Sequence, residues 1–241
     1  MKVQPVNTNS TKLTFKRFEK KYILSPEQYE SFMAAAKEHL VPGEFHKSLV
    51  MSIYYDDENY SLIRHSLDAP VYKDKLRIRS YGIPKEDGSV FVELKKKYDG
   101  IVYKRRVEMK VREAEAWIAG TAKAPFDSQV VREIDWFLQR NRLEPKVFIG
   151  CDRTSWADKD NPELRFTFDS SIRWRDTDLS LTLGDHGNEQ LPEGSRLLEI
   201  KVPDAAPLWL AGILSNEKIF PHSYSKYGTY YTSLVKSKGD K

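Results

Sequence analysis

Leu76-Arg77-Ile78-Arg79 sets the pattern of this chain, in which apolar and ionic side chains alternate and the same alternation returns in segment after segment. Residues i and i+2 of a strand share a face, so Leu76 and Ile78 lie on one side and Arg77 and Arg79 on the other. In the same way Val90, Val92 and Leu94 oppose Glu93, Lys95 and Lys97, and Val107 and Met109 oppose Lys104, Arg106, Glu108 and Lys110. Leu164, Phe166 and Phe168 oppose Arg165, Thr167 and Asp169; Leu198, Ile200 and Val202 oppose Glu199 and Lys201; Phe18 and Tyr22 oppose Arg17, Glu19 and Lys21. A solvated face accounts for any one such strand. Ordinary surfaces intersperse both signs, however, whereas cations here gather on the polar strand faces and form a field of one sign suited to a polyanion. The whole chain carries only +4, from 39 Lys+Arg against 35 Asp+Glu. Placement of charge, not its sum, carries the signal.

Period-two patterning predicts strands over 12–24, 47–56, 72–82, 89–98, 101–111, 146–156, 163–174 and 195–203, with a further one at 178–183. Asp99-Gly100 reads as a hairpin turn. Ser25-Pro26-Glu27-Gln28 supplies an N-cap, a proline at the first helical position and a glutamine that closes a capping box, so a helix is predicted over 26–40. Further helices are expected at 112–119, 127–142, 206–215 and after Ser225, where Tyr224, Tyr227, Tyr230 and Tyr231 recur at helical spacing as core packing. Strands follow strands with too little chain between them for βαβ crossovers, so the expected class is antiparallel α+β, as a barrel or strongly curved sheet. No linker or internal repeat divides the 241 residues, and one domain with a core near 13–235 is expected.

If the apolar faces point outward under helices, the charged faces line the interior. Like charges packed in such a tunnel are unfavourable without a counter-anion. Arginine forks and lysine ammoniums are the usual ligands of phosphate oxygens, and interleaved glutamates can hold a divalent cation together with phosphate.

Several alternatives are excluded or left without support. Cys151 is the single cysteine, so no intrachain disulfide forms; a reducing, cytoplasmic setting is expected, with Cys151 as a buried thiol and not a nucleophile. The polar start MKVQPVNTNSTK lacks the apolar core of a secretory signal, and the apolar run Pro207 to Leu214 is too short to span a bilayer. His39, His46, His65, His186 and His222 show no metal-binding spacing, and neither a P-loop nor a Rossmann glycine pattern occurs. Phosphate ligands must therefore be side chains. Cations confined to strand interiors would not reach a DNA duplex, so DNA is not an expected partner.

Taken in order, Arg17-x-Glu19-x-Lys21-Tyr22, Leu76-Arg77-Ile78-Arg79, Val92-Glu93-Leu94-Lys95, Lys104-x-Arg106-x-Glu108, Asp152-Arg153-Thr154, Arg165-x-Thr167-x-Asp169, Leu198-Glu199-Ile200-Lys201 and Ser225-Lys226-Tyr227 resemble the VTC domain, the catalytic module of the vacuolar transporter chaperone polyphosphate polymerase. That family sits in the triphosphate tunnel metalloenzyme, or CYTH, superfamily, and the resemblance spans roughly residues 15 to 230. It implies an eight-stranded antiparallel tunnel with flanking helices that threads ATP, another triphosphate or inorganic polyphosphate, with bound Mn or Mg. By matching motif, Lys21, Arg77, Arg79, Lys95, Arg153, Arg165, Lys201 and Lys226 would bind phosphates, with Lys104 and Arg106 as additions. Glu199 matches the metal-binding glutamate, with Glu19, Glu93 and Asp169 as further candidates, and Lys226 and Glu199 would serve the chemistry. The implied activity is polyphosphate synthesis from the γ-phosphate of ATP; a triphosphatase and a non-catalytic polyphosphate-binding module are the alternatives. The eukaryotic assemblies of that family add a phosphate-sensing domain and membrane helices that have no counterpart in these residues, so any membrane-associated partner is unspecified.

Overall fold

The computed structural model describes residues 18–239 apart from 69, 100 and 204; Arg17, Gly100 and the expected strand segment 12–17 lie outside the described residues. Among the described residues nine strands form one antiparallel sheet: β1 (Phe18–Leu24), β2 (Leu40–Asp56), β3 (Tyr72–Tyr81), β4 (Ser89–Tyr98), β5 (Ile101–Lys110), β6 (Glu144–Asp158), β7 (Arg165–Arg175), the two-residue β8 (Asn188–Glu189) and β9 (Arg196–Val202). The neighbour order is β1-β9-β7-β6-β2-β3-β4-β5, with β8 beside β7. Among the described residues β1 and β5 do not pair, so hydrogen bonds do not close the sheet. It curls, and Lys21 on β1 and Lys95 on β4 come close enough for their charges to act on each other.

Among the described residues six helices cover and plug this sheet: α1 (Pro26–Ala36), α2 (Ser61–Leu67), α3 (Val111–Ile118), α4 (Gln129–Arg140), α5 (Leu208–Asn216) and α6 (Lys226–Gly239). The α1 capping box forms as expected, Gln28 N donating to Ser25 Oγ and Ser25 N to Gln28 Oε1. α1 stops at Ala36 instead of running to 40, because Leu40 already pairs with Asp158 as the first residue of β2. α2 was not predicted. Its cap comes from upstream, Asp56 accepting from the backbone N–H groups of Leu62 and Ile63 at 2.9 Å, while the adjacent residue Tyr60 sits at φ 57 and offers no side-chain cap. The strand expected at 178–183 is instead irregular chain with one 3₁₀ turn, Leu181–Leu183; Ser180 caps it, and Leu181 is drawn into the core.

Three apolar clusters explain the curl. Outward residues of β2 to β5, among them Ile53, Ile78, Val92 and Val107, pack under α3 and α4. Those of β1, β7 and β9, among them Tyr22, Phe168 and Ile200, pack under α1 and α5, where Phe32 is completely buried. The third cluster is inside: Val50, Tyr54, Ile149, Cys151 and Leu197 surround Tyr227 and Tyr230 of α6. Each inner face therefore changes character along its strand. Glu19 and Lys21 give way to Ile23, Lys201 and Glu199 to Leu197, and Arg153 to Cys151 and Ile149. α6 occupies the apolar half, where fully burying a side chain of this size stabilises by about 1.5–3 kcal/mol. Tyr227 also donates to Asp56 Oδ2 at 2.9 Å, tying α6 to the cap of α2.

Candidate active site: a basic tunnel closed at one end

The remaining half of the interior is ionic, and antiparallel register sets who meets whom. Arg77 lies opposite both Glu93 on β4 and Tyr54 on β2; Arg153 lies opposite Asp169; Lys21 lies opposite Glu199 and Lys201 opposite Glu19. Cross-strand neighbours of opposite charge form the first ionic knot at Glu93, which is fully buried. Arg77 reaches its Oε2 with Nη2 at 2.6 Å and Nε at 2.8 Å, and Lys104 reaches Oε1 at 2.5 Å. Burial alone would raise this carboxyl, but Arg77, Arg79 and Lys104 outweigh it and hold it at about 2.

Asp169 is the second knot. Arg153 grips it with two hydrogen bonds of 2.6 Å, and Lys226 Nζ, entering from the start of α6, lies 2.5 Å from Oδ2. The third is Glu199, 3.6 Å from Lys21 Nζ and 3.5 Å from Lys226 Nζ. Against the burial that would raise it, Lys226, Lys21 and Arg153 keep its carboxyl well below the usual range. Burial would lower the Lys226 ammonium, yet Asp169 and Glu199 raise it above its ordinary value.

Other cations have no short ion pair among the described residues. Among the described residues Lys95 and Lys201 make no hydrogen bond and no ion pair within 4 Å. Arg79 donates to Ser52 Oγ at 3.1 Å and meets Glu93 only at 4.0 Å. Arg106 lies over the Phe91 ring on the exposed edge strand, and exposed Arg165 bonds only the Pro162 carbonyl. Such a wall has surplus positive charge in a confined space, which suits an anionic ligand. The structure thus brings Lys21, Arg77, Arg79, Lys95, Lys104, Arg153, Lys201 and Lys226 to the tunnel interior, with Arg106 and Arg165 at its rims.

Two further residues point inward that the sequence does not single out. Lys75 shares the parity of Arg77 and Arg79, two residues earlier, which was the available signal; its ammonium donates to Ser225 Oγ at 2.8 Å. Tyr54 accepts from Arg77 Nη1 at 2.9 Å and stacks on Tyr227, 5.1 Å between ring centroids. Burial would raise its phenol, but Arg77, Arg79, Lys75 and Lys226 together bring it down to about 7. Cys151 is buried as expected, and burial, reinforced by Asp169, pushes its thiol up to about 11, which keeps it protonated and inert.

The carboxylates divide by availability. Both oxygens of Glu93 are occupied by cations, and Asp169 is likewise enclosed. Glu19 and Glu199 instead flank one ammonium, each 3.6 Å from Lys21 Nζ. Among the described residues no group of three or more His, Cys, Asp or Glu side chains forms a metal cage. Two hard carboxylates completed by substrate phosphate oxygens and water are the set that Mg²⁺ or Mn²⁺ takes, so Glu19 and Glu199 fit an ion bound jointly with substrate.

The family model of the VTC domain matches residues 16–235. No curated protein matches the chain. A candidate adenylate cyclase from Bacillus halodurans superposes with a TM-score of 0.54 at 16% identity, over 86% of this chain and 92% of its own. A candidate adenylyl cyclase from Hippeastrum, described as having a dominant triphosphatase activity, superposes with a TM-score of 0.50 at 15% identity, over 89% of this chain and 95% of its own. At these identities the likeness is one of fold. No helix among the described residues is long and apolar enough to cross a membrane.

Proposed function

This chain belongs to the VTC domain family, and from that premise we propose that it catalyses metal-dependent phosphoryl transfer on triphosphates, extending inorganic polyphosphate from the γ-phosphate of ATP. The observation that carries the reading is the excess of inward cations, of which, among the described residues, Lys95 and Lys201 make no hydrogen bond and no ion pair within 4 Å. A terminal phosphate oxygen of the growing chain forms a bond to the γ-phosphorus while the bond from that phosphorus to the β–γ bridging oxygen breaks, its electron pair leaving with ADP. Catalysis of such a step consists of alignment and charge neutralisation and needs no protein nucleophile. Arg77, Arg79 and Lys95 would hold the phosphates in line, and Lys226 would meet charge that develops on the transferred group. A divalent ion held by Glu199 and Glu19 with phosphate oxygens would neutralise further charge on the leaving group.

Hydrolysis of a triphosphate is the second reading, favoured by the closed end of the tunnel, past which a long phosphate chain cannot continue. Incubation with ATP and Mn followed by gel separation decides between them: long polyphosphate supports the polymerase, free phosphate the triphosphatase, and no turnover of any triphosphate leaves a binding module.

Three expectations attach to single cations. Arg79→Ala should weaken triphosphate binding by about 1.5–3 kcal/mol, the scale of a charge-assisted hydrogen bond, with little change in melting temperature, because its carboxylate contact is long. Arg77→Ala should cost as much binding and also lower the melting temperature, since it strips a buried partner from Glu93. Calorimetry with no change for either would put these side chains outside the ligand path. Lys226→Ala should lower kcat about tenfold while raising the KM for ATP less, because an interaction stronger in the transition state acts on kcat. Lys236→Ala, on the exposed side of α6, should be silent. Equal effects at the two lysines would remove Lys226 from the chemistry.

A further inference from the structure

We propose that the closed end of the tunnel is a receptor for the terminal phosphate of a linear phosphate chain, built from Lys75, Ser225 and Lys226 against a wall formed by Tyr54, so that the protein reads chain ends. The inference rests on the reading of the tunnel as a phosphoanhydride site and adds which part of the ligand enters first.

Three observations converge there. The end is shut: Tyr227 and Tyr230 are 2% and 1% exposed among Val50, Tyr54, Cys151 and Leu197, and the Tyr227 hydroxyl is anchored to Asp56. A phosphate chain cannot continue past them. Lys75 is then the odd cation. Its hydrogen-bond partner is the neutral Ser225 hydroxyl, no carboxylate lies within 4 Å among the described residues, and against the raising effect of Tyr54 stand the charges of Lys21, Lys95 and Lys73. Burial, with those neighbours, pushes its ammonium down to about 8. An ammonium placed against other ammoniums is unfavourable until an anion joins them. Finally, the Ser225 hydroxyl accepts from Gly228 N at 3.1 Å and its carbonyl accepts from Thr229 N at 2.7 Å, so α6 begins at this spot and its positive end lies beside Lys75.

The chemistry of a phosphate chain distinguishes its ends from its middle. An internal phosphate has two bridging oxygens, one charge, and must continue in both directions. A terminal phosphate has three free oxygens, carries up to two charges, and has nothing beyond it. Convergent donors from β3 and from the start of α6, at the bottom of a blind tunnel, match the second and exclude the first. Lys226 is shared, since Asp169 and Glu199 already hold it; Lys75 is the group committed to the end.

Calorimetry on the full chain should compare linear tripolyphosphate with the same chain blocked at both ends as phosphoramidates. The free-ended ligand should bind at least about tenfold tighter. Lys75→Met should lose about tenfold for the free-ended ligand and leave the blocked one unchanged, with an unaltered or higher melting temperature because an uncompensated charge is removed; Lys75→Gln should repeat the result. Equal binding of both ligands by the unaltered protein, or equal weakening of both by the Lys75 variants, overturns end recognition while leaving the tunnel site standing. Failure of both ligands to bind overturns the tunnel reading and this inference with it.

Discussion

Glu199→Gln should lower metal-dependent turnover by about 100-fold or more while affinity for tripolyphosphate stays level or improves. The substitution keeps the shape of the side chain and removes its charge. A carboxylate set among phosphate-binding cations weakens anion binding, so a protein that merely held polyphosphate would gain by losing it. Its surroundings hold Glu199 ionised far into acid, between Lys21 and Lys226. With Glu19 on the other side of Lys21 it is half of the pair that fits a divalent ion. Titrating Mn against turnover, with calorimetry of tripolyphosphate on the same preparation, separates the two roles. Full activity at saturating metal would remove Glu199 from the chemistry, and a matched loss of binding would make it a structural partner of the lysines.

Much of this site could be read from alternation alone, because period two assigns every strand residue to one of two faces without knowledge of the partners. The polar-face positions of Arg77, Arg79, Lys95 and Lys201 followed directly, whereas Arg153 rested on the motif shared with the VTC domain. What alternation cannot say is which inward residues are neutralised. Glu93 and Asp169 look alike in sequence to Glu199, but cross-strand register gives the first two their own arginines at 2.6 Å and gives Glu199 only longer contacts. Lys75 has the parity of Arg77 and Arg79 but lies outside the Arg-x-Arg motif beside it. Its significance depends on Ser225, 150 residues away. α2 was hidden for a related reason: its capping carboxylate, Asp56, belongs to the preceding strand and is not adjacent to the helix. At 178–183 three alternating leucines imitated a strand, but Ser180 caps a 3₁₀ turn there instead.

The buried knot at Glu93 leads to the largest expected loss of stability. Glu93→Gln leaves Arg77, Arg79 and Lys104 facing one another with no carboxylate between them, and breaking a buried ion pair from one side costs about 3–5 kcal/mol. For a chain of this size that is a fall in melting temperature of roughly 10 °C. Tripolyphosphate should recover more of the loss in the variant than it adds to the unaltered protein, because an anion in the tunnel supplies the missing charge and a ligand of the folded state stabilises by mass action. Acid should erase the difference. The folded carboxyl sits at about 2, below the ordinary glutamate value of about 4.3, so its contribution is complete above that ordinary value and fades as pH falls toward 2. Thermal melts of both proteins from pH 7 down to pH 2, with and without tripolyphosphate, test each step. Equal melting temperatures at pH 7 would show that Glu93 does not hold the arginines together, and a gap that fails to narrow in acid would show that its charge is not what stabilises them.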